Sequence, residues 1–244
     1  MQKILAYPLT VLYFLFFGLT LLVFHPIQWL CYNFFGYQAH KKSVDLLNLC
    51  LTRCLHILGT QIKFEVPNNL PKNVPVIIVA NHQSMNDIPP IIWFLRRYHV
   101  KFISKKELGK GIPSVSYNLR HGGSVLIDRK NAEQALKAIE SMAHYIETNK
   151  RAVVIFPEGT RSRNGQQKPF QTRGLKTLIT NAPNAFIFPV TINNSWKILR
   201  YGKFPLGLGT YMKFKVHQSL KISEFEDVDL LISQVETAIK DDII

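Results

Sequence analysis

Carboxylates are scarce in this chain of 244 residues: 16 Asp and Glu stand against 30 Lys and Arg, a formal net charge of +14. Seven of the acids fall in residues 223–244, which leaves residues 1–222 with 29 bases, nine acids and a net of +20. A field of that sign attracts anionic partners: nucleic acid, anionic lipid, acidic carrier proteins or phosphorylated substrates. Cysteine is scarce too. Cys31, Cys50 and Cys54 are too few for a disulfide framework in a chain of this length. No second ligand pair at metal-site spacing accompanies Cys50 and Cys54, which read as buried apolar cysteines in a reducing compartment. There is no G-x-S-x-G elbow, no Cys-His signature and no G-x-x-x-x-G-K-[ST] loop, so neither an activated serine or cysteine nor a P-loop is on offer. Low-complexity runs and internal repeats are missing, and 47% of the residues are hydrophobic, which argues against extensive disorder.

What the chain has in abundance is a long apolar run. Residues 4–24 (ILAYPLTVLYFLFFGLTLLVF) carry no formal charge and are about long enough to cross a bilayer core as a helix. His25-Pro26 interrupts it, a shorter apolar run from Ile27 to Phe35 follows, and Lys41 and Lys42 close the region. One reading is a spanning anchor with the main domain on the cytoplasmic side, as the later lysine flank favours. Another is a helical hairpin in one leaflet, bent at the His-Pro break. A cleaved signal peptide fits less well, because the run is long and no small-residue cleavage site follows. Residues 43–58 repeat apolar positions at helical spacing, which suits a helix packed on the main domain or one at the interface. The expected organisation is therefore residues 1–58 as membrane-anchoring helices and 59–244 as the main domain.

From residue 61 the pattern is α/β, with a mixed, largely parallel sheet flanked by helices. Strands are predicted at 61–66, 76–81, 100–104, 124–129, 152–158, 185–192 and 212–218, with helices at 88–97, 131–148, 172–181 and 228–240. Pro189 inside the 185–192 run predicts an edge strand or a bulge. Ligands in such sheets gather beyond the carboxyl ends of strands. Two apolar strands end abruptly in polar clusters there, VIIVA before NHQSMND and AVVIF before PEGTRS.

The first cluster offers His82 and Asp87. Acyl transfer to a hydroxyl needs a base for the hydroxyl proton, and neutral imidazole suits that task near pH 7. A carboxylate on the other ring nitrogen would fix the tautomer. Residues five apart on a regular helix do not face each other, so the pair requires a strand-to-helix turn with Asp87 curling back. Taken alone, a capping histidine and a helix-start aspartate explain the same residues. In the second cluster Gly159 allows close backbone approach, Arg161 offers a bidentate fork for phosphate, and Glu158 is placed to bond a glycerol hydroxyl or to hold that arginine. A solvated basic turn is the plainer alternative. Lys105, Lys106, Lys110 and Arg129 lie near another strand end.

At these residues the sequence resembles the glycerolipid acyltransferases, most closely the 1-acylglycerol-3-phosphate acyltransferases. Asn81, His82 and Asp87 match N-H-x-x-x-x-D. The K-K-E-L run from Lys105 to Leu108 with Ile127 to Arg129 matches a second motif, residues 156–162 match F-P-E-G-T-R-S without substitution, and Phe188-Pro189-Val190 matches a fourth. The resemblance covers about residues 60–200. It implies His82 as general base with Asp87 as its partner, and Lys105 and Arg161 on the acceptor phosphate with Arg129, Glu158, Gly159 and Thr160 around it. It implies a fatty acyl thioester donor on coenzyme A or acyl carrier protein, a lysophosphatidic acid acceptor, phosphatidic acid as product, no acyl-enzyme, and neither metal nor cofactor. It further implies work on membrane lipid at the cytoplasmic face, the inner membrane in a bacterium. Met85-Asn86 departs from the usual filling between His82 and Asp87, which leaves room for another lysophospholipid or a lyso-aminolipid as acceptor. A non-catalytic basic protein binding membrane or nucleic acid is the reading from a different class. The paired His82 and Asp87, and the lack of aromatics interleaved with the basic residues, argue against it.

Overall fold

Strand VIIVA is buried at all five positions, and an apolar run with no polar face must be covered on both sides. The computed structural model, which describes residues 2–244, shows how. In chain order the main elements are α1 (Gln2–Cys54), β1 (Gln61–Glu65), β2 (Val76–Ala80), α2 (Ile88–Phe94), β3 (Lys101–Lys105), α3 (Val115–His121) and β4 (Val125–Ile127). They continue with α4 (Ala132–Asn149), β5 (Ala152–Ile155), α5 (Thr172–Asn181), β6 (Phe186–Asn193), β7 (Tyr211–Val216), β8 (Leu220–Lys221) and α6 (Val228–Lys240). The strands form one sheet in the order β1-β7-β6-β2-β5-β3-β4, with β8 also on β6. The β6–β7 and β6–β8 pairs are antiparallel and the others parallel, so the sheet is mixed and largely parallel as expected.

Alternation along β2 sorts the two cores. Val76, Ile78 and Ala80 face a cluster built with Tyr13 and Val44 of α1, Leu55 and Leu58 just after it, and Ile91 of α2. Ile77 and Val79 face Met142 and Ile146 of α4, Leu175 and Leu178 of α5, and Leu231 and Val235 of α6. β2 is also the switch point. The chain turns to one side of it for β5, β3 and β4 and to the other for β6, β7 and β1, which opens a crevice beyond its carboxyl end.

Two expectations need correction. Pro189 is not on an edge: it sits in β6, opposite Val79 of β2. Its carbonyl accepts the His217 N–H at 2.9 Å, so its missing N–H falls on the same side. There the partner changes from β7, which ends opposite Val190, to β8, which begins opposite Ile187. The seam between two short partners asks for no donor. The bend in the amino-terminal segment is likewise not at His25-Pro26, because helix runs through Pro26 and breaks at Gly36 (φ 73°, ψ −169°). The His25 Nδ1 accepts the Ser114 N–H at 3.0 Å, so the domain holds the helix beside the proline. Gly36 adopts a conformation that side-chain-bearing residues essentially never reach.

Gly36→Val should therefore lower the melting midpoint. A strained residue costs on the order of 1–3 kcal/mol, roughly 2–10 °C at this chain length. Gly18→Ala, with no atom within 4 Å of the added carbon and an ordinary helical position, should leave the midpoint level or slightly raised. A neutral Gly36→Val in calorimetry would place the bend elsewhere.

Candidate active site

The carboxyl end of β2 delivers Asn81 and His82 into the crevice. The Asn81 side chain continues the ladder: its Nδ2 donates to the Ile192 carbonyl at 2.9 Å and its Oδ1 accepts the Ile192 N–H at 2.7 Å. Ser84 then caps a short 3-10 turn, Met85–Asp87, and its hydroxyl accepts the Asn86 N–H. This turn brings Asp87 back. The His82 Nδ1 and the Asp87 Oδ2 are 2.8 Å apart, and the same oxygen accepts the Gln83 and Ser84 N–H groups at 2.8 and 2.9 Å. The other oxygen accepts the Ser195 hydroxyl. Asp87 is fully buried, and a buried carboxylate with four donors stays in place. In the neutral imidazole, a proton on Nδ1 donated to Asp87 makes Nε2 the acceptor. The His82 side chain keeps 17% of its exposure, and no protein group is hydrogen-bonded to Nε2 among the described residues.

The loop after β5 locks the imidazole from below. The Phe156 ring stacks on it at 4.1 Å between centroids and 17° between planes. The His82 N–H donates to Glu158 Oε1 at 2.8 Å, and the Ser162 N–H donates to the His82 carbonyl at 2.7 Å. This corrects the expected place of Glu158. It is 2% exposed, and its second oxygen takes the Lys168 N–H at 3.1 Å. Both oxygens are thus occupied by backbone donors, and a buried carboxylate would repel a phosphate rather than hold one. Burial raises its carboxyl above the ordinary value, with the two N–H donors opposing.

Thr160 and Arg161 line an open cleft of about 430 Å³ with Arg163, Asn164 and Lys168, and no carboxylate lines it. Gly159 (φ 67°) makes the turn, and its carbonyl accepts from the Arg129 guanidinium, whose partial burial lowers its pKa. Lys105 is exposed at the carboxyl end of β3, in register with Ile127 of β4. The structure thus joins His82 to Asp87 directly, and joins Arg129 to Gly159. It places Lys105 and Arg161 on neighbouring strand ends, neither in an ion pair among the described residues. Ser195, Phe156 and Ser162 were not foreseen. Ser195 is 108 residues from Asp87 and shares no local signal with it, whereas the register of β2 with β5 (Val79 opposite Ile155) carried one step on puts Phe156 level with Ala80, two residues before His82.

The site sets an imidazole with one open ring nitrogen beside an open, cationic cleft of about 430 Å³. A family model described as Acyltransferase matches residues 61–193. The 1-acyl-sn-glycerol-3-phosphate acyltransferase of Borreliella burgdorferi is 30% identical over 196 residues, covering 78% of this chain and 75% of that protein. The chain belongs to the acyltransferase family. The Helicobacter pylori protein of the same name is 37% identical over 126 residues, half of each chain. The mouse alpha form is 28% identical, covering 63% of this chain and 52% of that protein. The chain spans about half the length of the mammalian relatives it matches. In fold, the crystal structure of the 1-acyl-sn-glycerophosphate (LPA) acyltransferase PlsC from Thermotoga maritima superposes with a TM-score of 0.79 at 24% identity, over 99% of this chain and 95% of that one.

Glu158→Gln should both destabilise and slow the protein. An amide offers one acceptor where two N–H donors now point, which leaves a buried donor unmet at about 1–3 kcal/mol. Displacing His82 by even 1 Å would cost about a hundredfold in turnover. A variant that melts like wild type and loses only affinity for phosphate-bearing acceptors would return Glu158 to the cleft.

Proposed function

We propose that the chain is a 1-acylglycerol-3-phosphate O-acyltransferase. It moves a fatty acyl group from acyl-CoA or acyl-carrier protein to the sn-2 hydroxyl of lysophosphatidic acid and releases phosphatidic acid. The observation that carries the reading is His82 held on Asp87 with Nε2 open toward the crevice. Nε2 takes the proton of the acceptor hydroxyl as that oxygen attacks the thioester carbonyl, and the imidazolium formed is stabilised by Asp87. The proton then goes to the departing thiolate, so the acyl group passes in one step without an acyl-enzyme. Arg161 and Lys105 hold the acceptor phosphate, and Arg129 and the Gly159-Thr160 turn shape its surroundings.

The amino-terminal hairpin sets where this happens. Seventeen large apolar or aromatic side chains between Ile4 and Phe35 are exposed, far more than water tolerates in one patch. The opposite face of the same helix is tied to the domain. Thr10 accepts the Leu206 N–H, Tyr13 donates to Asn86, the Leu21 carbonyl accepts from Ser114, Asn33 donates to Tyr117, and Tyr37 meets His99. These ties span residues 10 to 37, about 40 Å of helix, which exceeds the roughly 30 Å of a bilayer core. A helix accompanied by its domain for that distance lies in one leaflet instead of crossing. We place it on the cytoplasmic face, where acyl thioesters are available.

The test is lipid mass spectrometry on purified protein with mixed lysolipid acceptors and both donor types. Phosphatidic acid is the expected product. His82→Ala should abolish turnover. Asp87→Asn should lower kcat by about 10³–10⁴, because the amide favours the wrong imidazole tautomer. Arg161→Ala should raise KM for phosphomonoester acceptors by one to two orders of magnitude, as loss of a charge-assisted pair of about 1.5–3 kcal/mol implies. Full activity of His82→Ala would end the assignment of the base, and a product without the phosphomonoester would replace the acceptor.

A further inference from the structure

A second basic cleft lies at the other end of the sheet. It has a volume of about 520 Å³ and is lined by Gln38, Lys72, Arg97, His99, Lys150 and Arg151 among others, with no carboxylate. Apart from Gln38 of α1, these residues precede β2, β3 and β5, whose amino-terminal ends are neighbours in the sheet. His82 is at the far end of β2, about 20 Å away at 3.3 Å per residue. The cleft is therefore separate from the acceptor site.

Its charge is not balanced from within. Among the described residues, none of Lys72, Arg97, Lys150 and Arg151 forms an ion pair. Beside the cleft, the Arg151 guanidinium lies 3.9 Å and the buried Lys101 ammonium 4.9 Å from the centre of the Tyr37 ring, on which His99 also stacks. The nearby acid, Asp45, is taken by Lys41 at 2.5 Å. The crowding shows in the protonation of the neighbours. Burial, then Lys41, Lys101 and Arg151, push His99 down to about 4, and burial, then Arg151, push Lys101 down to about 7.

The backbone also commits side chains to this place. Among the described residues, Asn73, His99 and Lys150 are three of the five non-glycine residues with positive φ. His99 and Lys150 end helical turns in the left-handed conformation, where glycine is the usual occupant. A cation and an imidazole stand there instead, both in the cleft wall.

We propose that this cleft binds the phosphate of an anionic phospholipid headgroup at the bilayer surface. The proposal rests on the one-leaflet reading of the hairpin. Gln38 in the cleft wall is two residues from the Gly36 bend, and Phe34 and Phe35 before the bend are 67% and 74% exposed. With those rings in the acyl region, the unpaired cations beside them stand at headgroup level, where anionic lipid collects. The cleft is a second phosphate site that docks the bend end of the molecule, while the first receives substrate at the opposite end.

The experiment is flotation of the full chain with phosphatidylcholine vesicles, with and without phosphatidate. The variant is Lys72→Glu/Arg97→Glu/Lys150→Glu, three exposed positions whose reversal should leave melting and turnover in detergent unchanged. The expected result is a loss of the phosphatidate-dependent gain in binding by at least about tenfold, with binding to phosphatidylcholine alone preserved. Phe34→Ser/Phe35→Ser should weaken binding to both vesicles, which reports on the hairpin separately. An unchanged phosphatidate gain in the triple variant, abolished instead by Arg161→Glu, would overturn the proposal by putting the lipid at the catalytic end. Flotation that ignores phosphatidate, with inorganic phosphate raising the melting midpoint of wild type but not of the triple variant, would overturn the lipid and assign a free anion. No flotation of wild type with either vesicle would sink the hairpin reading and the lipid with it.

Discussion

Everything at the carboxyl end of β2 hangs on the backbone of one residue. The N–H of His82 points at Glu158 and its carbonyl receives the Ser162 N–H, so the loop after β2 and the loop after β5 are one unit. The partners lie 76 and 80 residues away, and the bonds exist only because β2 and β5 are parallel neighbours in register. With the main chain fixed, the ring has little left to choose. Phe156 covers one face and Asp87 holds Nδ1, which leaves a single nitrogen for chemistry. A histidine on a free loop would need to be ordered at each turnover; this one is ordered by folding.

That arrangement explains why the strongest signals in the sequence were the ends of apolar strands. Periodicity and uninterrupted apolar runs report how an element is buried, and burial is what places β2 and β5 at the centre of the sheet. The helix at 131–148, read from its apolar face, is α4 within a residue at either end. Requiring Asp87 to curl back was also a local matter, since no regular helix joins positions five apart. What the sequence concealed is what depends on partners distant in the chain. Glu158 reads as a free acid in a polar turn until the N–H groups of His82 and Lys168 close on it. Pro189 reads as an edge residue until a seam between β7 and β8 supplies a place without a donor. Gly36 looks like any glycine in an apolar run, and His25-Pro26 looks like the better break, because nothing local shows that α3 will brace the helix at that point.

The molecule also has a polarity along its strands. Parallel strands put all their carboxyl ends on one side, and here both ends gather cations, for different reasons. At the carboxyl ends the cations are Lys105, which closes β3, and Arg129 and Arg161, in the loops before α4 and α5, with His82 among them. At the amino ends Lys150 stands at a left-handed helix termination, and Lys72, Arg97 and Arg151 come from the segments just before β2, β3 and β5. The amino-terminal helix is the element that touches both ends, from Tyr13 beside the catalytic turn to Tyr37 beside His99.

The contact at Tyr13 makes the hairpin more than a tether. Burial raises the phenol far above its ordinary value, so it stays protonated and must donate, and Asn86 Oδ1 is its acceptor at 3.2 Å. That fixes the orientation of the amide, whose nitrogen faces the Ser84 hydroxyl, the cap of the turn that carries Asp87. An asparagine at this position is then explained by its bond to Tyr13 of α1, and of the two unusual residues Met85 is the exposed one. Pulling the helix away would strand a buried amide oxygen at a cost of about 1–3 kcal/mol and free the turn beneath the dyad. The apolar amino-terminal helix and the turn that carries Asp87 are therefore one folded structure.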